Sequence, residues 1–385
     1  VDNVNRINGT NGLAAAGVAV FNNTIYVAGG VYNSAWQSTI WRVGLDPTNG
    51  SLTGNWQTQS FSSVGMTGDA ADARGYMYMF TRANPSMAGT YPGNLYLLGG
   101  CSGSTGIGCT DYYDEVVKCN INTSGVVSNC GTGGQMAIDA DNISSGTQGL
   151  GLMAGTIYAN RIYLVGGSCA SIGAAGNPCG STYSANRKDT IYAAIDNNNN
   201  IVDSTTGLSS GTWKFATAQM DPVRRRAVSF GYNGYIYSLA GYSGTESLQD
   251  LLFSKIDVST GDMGSWKSSG VVVTPRWDLR AIVSNGYVYA IGGCGTGAAP
   301  SSCSAMQPQI QTFQLYNNNS GAAKTYNLGT SNPGSGAQRI GGSSVILNGY
   351  LYYAGGCTNI GCTAFSNTVN YIALDTYGNQ TGSWM

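Results

Sequence analysis

Histidine is absent from this chain of 385 residues. That excludes imidazole metal ligands, Ser-His-Asp and Cys-His catalysis, and proton transfer by the one side chain that titrates near neutrality unaided. Charge is scarce too. Asp, Glu, Lys and Arg make up 10% of the residues, against about 25% in ordinary soluble domains. A net charge of −1 gives no electrostatic basis for holding nucleic acid or an acidic membrane surface. No apolar run reaches the roughly 18 residues of a membrane-spanning helix, and the residues from Val1 onward do not read as a signal peptide. What is present is Gly, Ser, Thr and Asn in quantity, with 57 glycines. The hydrophobic share is nevertheless 42%, which supports a packed core rather than disorder.

One phrase recurs. "IYVAGG" ends at Gly30, "LYLLGG" at Gly100, "IYLVGG" at Gly167, "IYSLAG" at Gly241, "VYAIGG" at Gly293 and "LYYAGG" at Gly356. Intervals of about 50–75 residues mark an array of supersecondary units. Before each phrase comes a run of small apolar residues, such as "GLAAAGVAVF" or "RAIVS", and a tight Asn/Gly turn such as "NNT" or "NGY". After it come a variable loop, a third strand ending in "LD" or "ID", a Gly turn, and a fourth strand that often carries Trp. Trp56, Trp213, Trp266 and Trp384 fill that late slot, with Cys130 and Tyr326 in repeats 2 and 5.

The paired glycines with a downstream Trp resemble the kelch repeat over essentially the whole chain. The resemblance implies an all-β fold: one six-bladed β-propeller spanning residues 1–385, built of four-stranded antiparallel blades, or a segment of a longer repeat protein. The first strands would crowd around an axial channel. Loops joining strands 2 and 3, and strands 4 and 1, would share one face, and the other turns the opposite face. The termini would meet where the ring closes, at an unfinished blade able to exchange strands.

The ten cysteines fall into neighbours: Cys101 with Cys109, Cys119 with Cys130, Cys169 with Cys179, Cys294 with Cys303, and Cys357 with Cys362. Four pairs would staple a loop that opens after the double glycine. Cys119 and Cys130 would bridge the hairpin of strands 3 and 4. A Gly/Ser loop has little apolar surface to hold its shape, and a bridge over about ten residues contributes roughly 2–3 kcal/mol. Cysteine metal binding is disfavoured because CxxC spacing is missing, so neither metal nor cofactor is expected. Disulfides imply an oxidising, extracellular compartment, and candidate N-glycosylation sequons at Asn8, Asn22, Asn122, Asn142, Asn318 and Asn379 fit it.

The register Asp46, Asn122, Asp196, Asp257 and Asp375 reads as turn capping. "DADN" at 139–142 is an incomplete calcium loop. Arg74, Arg226, Arg280 and Arg339 precede first strands, where Arg226 and Arg280 are expected to bridge neighbouring blades. Arg225, Arg276 and Trp277 are the freer candidates for ligand contact in the 4→1 loops. Trp36, Tyr112, Tyr113, Tyr183 and Tyr242 lie in 2→3 loops, where exposed aromatics suit carbohydrate or protein. Three functions follow as expectations. The first is a secreted or surface-displayed recognition or adhesion module that binds a protein or glycan through its stapled-loop face. The second is a structural subunit of an extracellular filament or layer, through self-assembly. The third, disfavoured for want of a catalytic constellation, is a glycan-active enzyme.

Overall fold

The computed structural model describes residues 7, 12–103, 107–135, 150–169, 187–202, 213–295, 303–316, 319–320, 324–327 and 339–385. The strands form six antiparallel blades, each an up-down meander, arranged as a propeller. In blade 1, Gly17–Phe21, Thr24–Ala28, Thr39–Leu45 and Leu52–Ser60 pair in sequence order. The first strands of blades 2 to 6 are Tyr78–Ala83, Ala154–Tyr158, Val228–Tyr232, Arg280–Ser284 and Ser343–Leu347. They stand with that of blade 1 around a common axis. Among the described residues, helix is limited to 3-10 turns such as Ser62–Val64.

Local chemistry sets the hairpins. The first and second strands join through Asn22–Asn23, Asn233–Gly234, Asn285–Gly286 and Asn348–Gly349. All eight residues have positive φ, the geometry that suits the right-handed twist of paired strands. The third and fourth strands join through capped turns. Asp46, Asn122, Asp196, Asp257 and Asp375 each accept, through Oδ1, the backbone amide two residues on, at 2.8–2.9 Å. Those bonds hold the exposed Asp46 and Asp257 carboxyls below the usual carboxylate range, chiefly through Thr48 and Ser259.

The recurring Tyr–Gly–Gly phrase latches each blade to the next. The amide of its last glycine donates to a carbonyl in the following blade's entry loop: Gly30 to Arg74, Gly100 to Leu150, Gly167 to Arg224, Gly241 to Arg276, Gly293 to Arg339 and Gly356 to Leu13, at 2.6–3.0 Å. The glycine before it must lack a side chain. A Cβ on Gly29, Gly166, Gly292 or Gly355 would run into the same carbonyl of the next blade, and φ there is positive. The tyrosine forms the second latch, on the opposite face. Tyr26, Tyr163, Tyr289 and Tyr352 donate to the Gly125, Gly261, Gly378 and Gly50 carbonyls of the next blade's 3→4 turn, at 2.7–3.0 Å. Each such bond contributes about 1 kcal/mol net.

The same latches close the ring, through Gly356 to Leu13 and Tyr352 to Gly50. Blade 6 takes all four of its strands from one stretch, and Met385 and Tyr371 exchange backbone hydrogen bonds at 2.9 Å. The expectation of an unfinished blade where the termini meet is therefore corrected.

Disulfides join Cys101 to Cys109, Cys119 to Cys130, Cys294 to Cys303 and Cys357 to Cys362, as the spacing predicts. Cys169 is disulfide-bonded as well; its expected partner Cys179 lies outside the described residues. The Cys119–Cys130 bridge is buried in the apolar layer between blades 1 and 2, beside Tyr26, Met79 and Leu95. These bridges fit an oxidising compartment. No helix among the described residues is long and apolar enough to cross a membrane.

Candidate functional site: an axial collar beneath the stapled loops

Six residues at one register, just ahead of the first strands, have left-handed backbones: Ala15, Tyr76, Leu152, Arg226, Asp278 and Gly341, with φ from 51° to 63°. Their backbones are hydrogen-bonded from blade to blade. Tyr76 donates to Ala15, Ala15 to Gly341, Gly341 to Asp278, Asp278 to Arg226 and Arg226 to Leu152, at 2.7–3.0 Å. The result is a collar around the axis on the loop face. A left-handed backbone costs a non-glycine residue roughly 1–2 kcal/mol. Five such residues at one register concentrate that backbone cost around the axis.

The collar sorts the arginines, and the sorting departs from the sequence expectation at Arg276 and Arg280. Two positions ahead of the collar stand Arg74, Arg224, Arg276 and Arg339. Arg276 is fully buried and donates to the Thr274, Gly292 and Gln309 carbonyls at 2.9–3.2 Å and to Gln311 Oε1 at 2.5 Å. Arg224 reaches the Ala240 carbonyl and Asp250, and Arg74 pairs with Glu115 at 2.7 Å. Arg74, Arg224 and Arg276 are braces between a blade's entry loop and its own second and third strands. Burial pulls the Arg276 guanidinium down to about 10. Arg276 is thus corrected from a contact residue to a brace. Trp277 is corrected too: it is 1% exposed, because its backbone pairs with Cys294 beneath the loops.

Arg226 bridges neighbouring blades as expected, from blade 4 to Asp278 of blade 5, whereas Arg280 lines the axis. Arg226 Nη1 pairs with Asp278 Oδ2 and donates to Tyr76 Oη at 3.0 Å. Tyr76 also donates to Asp278 Oδ2 at 3.0 Å. Tyr76 and Asp278 belong to blades 2 and 5, on opposite sides of the ring, so this cluster ties the collar across its diameter. Burial raises the Tyr76 phenol far above its usual range. Burial also works to lower the Arg226 guanidinium, but Asp278 and Tyr76 outweigh it and the net shift is upward. Below the collar lies a cavity of about 170 Å³, whose lining includes Tyr76, Leu152, Ser229, Asp278 and Arg280.

Above the collar, the loops form an apolar cap. Ile107, from the Cys101–Cys109 loop, packs with Tyr76, Leu152, Trp277 and Ile340, and its carbonyl accepts from Arg226 Nη2 at 3.1 Å. Neighbouring loops are tied together: Trp36 Nε1 donates to the Gly103 carbonyl at 2.7 Å, and Tyr112 Oη lies 3.3 Å from Ser168 Oγ. The half-buried Trp36, Tyr112 and Phe365 pack against this cap from its rim. Tyr113 is half-buried, with the Arg74 guanidinium 3.7 Å from its ring centroid. Arg225 is half-buried and lies over the Tyr242 ring at 5.4 Å. Tyr242 itself is 1% exposed, so it supports Arg225 and is corrected as a contact residue.

Tyr183 and the "DADN" stretch lie outside the described residues, as do Asn8, Asn142 and Asn318. Asn22 is exposed in its turn, Asn122 Oδ1 accepts two backbone amides, and Asn379 Nδ2 donates to Asp375 at 2.9 Å. The sequence reading did not single out Tyr76, Ser229 or Asp278. Aligning the repeats on Arg74, Arg224, Arg276 and Arg339 would have found the collar, since it places Tyr76, Arg226, Asp278 and Gly341 in one column.

No family model matches the chain, and no curated protein does. Among solved structures, one titled "Structure of YjhT" superposes with a TM-score of 0.60 at 15% identity, covering 97% of this chain and 97% of that one. At that identity, the likeness establishes a shared fold.

Proposed function

We propose that this protein is an extracellular recognition module that docks a protein or glycan on its stapled-loop face. The observation that carries this reading is the aromatic rim, Trp36, Tyr112 and Phe365, seated on a cap built from tied and disulfide-stapled loops. Surfaces fixed before binding lose little conformational entropy on association, and amphipathic aromatics supply contact area with a polar handle. Arg225 and the 52%-exposed Ile360 of the Cys357–Cys362 loop extend the same face. The Gly–Gly and Trp repeat that resembles kelch supplies the scaffold, and this reading requires no catalytic step.

The test is a screen of the folded protein on an immobilised glycan panel and on extracellular proteins of its source, with hydrogen exchange on each hit. Binding should protect residues 107–113 and 357–366. Tyr112→Ala should weaken it by about tenfold or more, as for a contact residue, with unchanged melting. Protection confined to the 3→4 turns at 46–51 and 257–262 would contradict the assignment.

A second reading, self-assembly, is favoured by one edge. The outer strand Leu52–Ser60 presents nine residues without a charge or a proline, most of them exposed, and such edges invite pairing with another chain. Filaments in micrographs of concentrated protein, abolished by Thr58→Lys, would support it; a monomer under the same conditions would not.

A further inference from the structure

We propose that Lys118 and Asn200 are a self-modification site, where the folded protein forms an isopeptide bond between blades 2 and 3. Lys118 stands on the third strand of blade 2, Glu115–Ile121, and Asn200 in the turn after the third strand of blade 3, Thr190–Ile195. Lys118 Nζ donates to Asn200 Oδ1 and to the Asn198 carbonyl, both at 3.1 Å. The amide carbon of Asn200 is one carbonyl bond, about 1.2 Å, from that oxygen. On the other side of the same amide, Asn200 Nδ2 donates to Asp196 Oδ2 at 3.3 Å. A nucleophilic amine, a carboxamide with its leaving group, and a carboxylate able to carry a proton therefore meet in one contact set.

The turn is anchored before any bond forms. Asp196 Oδ1 accepts the Asn198 and Asn200 amides at 2.9 and 2.7 Å. Asn199, 1% exposed, donates to the Ala83 carbonyl and to Asn94 Oδ1 of blade 2 at 2.8 and 3.0 Å, and its own carbonyl accepts from Tyr96. Groups held in this way reach effective molarities of about 10⁵–10⁸ M, which offsets the low reactivity of a carboxamide. Burial pulls the Lys118 amine below its usual range, with Asp196 acting the other way, and so raises the share of neutral, nucleophilic amine. Among the described residues the set is complete at this interface alone. Arg42 holds the lysine's register in blade 1 and reaches the Ser124 carbonyl at 3.3 Å, but a guanidinium is a poor nucleophile and Val126 stands where Asn200 would. Asp375 and Asn379 repeat the carboxylate–amide pair at 2.9 Å, but blade 5 places Thr312 in the lysine's register.

The step balances without a cofactor. Neutral Lys118 Nζ adds to Asn200 Cγ. Asp196 takes a proton from that nitrogen and returns it to Nδ2. The Cγ–Nδ2 bond breaks and ammonia leaves. The products are one Lys118–Asn200 amide and one ammonia, with Asp196 restored and nothing oxidised or reduced.

The experiment is peptide mapping by mass spectrometry after prolonged incubation of the folded protein in mildly alkaline buffer. The digest should contain a branched peptide that joins Lys118 to Asn200 and is lighter by one ammonia than its two parts. Lys118→Arg, which keeps the charge and the hydrogen bonds, should contain none. Asp196→Asn keeps the oxygen that caps the turn but cannot carry the proton, and should form the link at least about a hundredfold more slowly. Circular dichroism of both variants should match the parent, which separates failure to react from failure to fold. Parent protein held in denaturant should form no link, and Tyr112→Ala should form it at the parent rate, so failure here and failure of the docking face are separable. A folded parent without the branched peptide, Asn200 recovered only as Asp, equal linkage in denaturant, or an undiminished rate in Asp196→Asn would each overturn the proposal.

Discussion

Asp278→Ala is expected to cost about 3–5 kcal/mol of folding stability, the usual penalty for breaking a buried ion pair from one side. The carboxylate is the sole ion-pair partner of Arg226 among the described residues and the acceptor for Tyr76. Its loss leaves a guanidinium and a phenol facing each other under the apolar cap. Denaturant unfolding should show a lower midpoint at unchanged slope. Asp278→Asn, which keeps the shape and an acceptor, should lose less. A change below about 1 kcal/mol in the alanine variant would mean that water already solvates the pair, and that the collar is not tied across the axis.

The second large effect belongs to Trp277. Truncation of a buried tryptophan typically costs about 3–5 kcal/mol. Trp277 is 1% exposed, packs with Ile107, Cys294 and Ile340, and has the Arg226 guanidinium 5.1 Å from its ring centroid. Trp277→Ala should therefore lower the melting temperature and speed exchange of the Cys294 amide, which donates to the Trp277 carbonyl. Unaltered melting together with lost partner binding would restore Trp277 as an exposed contact and remove it from the cap.

The propeller was legible in the sequence because its signals are local and repeated. The double glycine answers to a carbonyl in the next blade, the tyrosine to a turn in the next blade, and the Asx residues to amides two positions on. Neighbouring cysteines gave their pairing for the same reason. The site was less legible because its chemistry depends on how the repeats are aligned. Arg276 and Arg280 are four residues apart, and spacing alone does not reveal that a left-handed residue, Asp278, separates a brace from an axial group. Burial of Trp277 and Tyr242 was equally hidden, since both sit in an apolar cluster assembled from the loops of several blades, Ile107 among them. The cluster of Tyr76, Arg226 and Asp278 joins positions up to 202 residues apart, which only ring closure brings together.

The division of the arginines into braces and axial groups is tested most directly by thermal unfolding of Arg276→Gln beside Arg280→Gln. Gln cannot span the Thr274, Gly292 and Gln309 carbonyls that Arg276 satisfies, and each buried group left unpaired costs about 1–3 kcal/mol. Arg276→Gln should melt several degrees below the parent, while Arg280→Gln melts within about one degree of it. Equal melting of the two variants, or a larger loss in Arg280→Gln, would contradict the account.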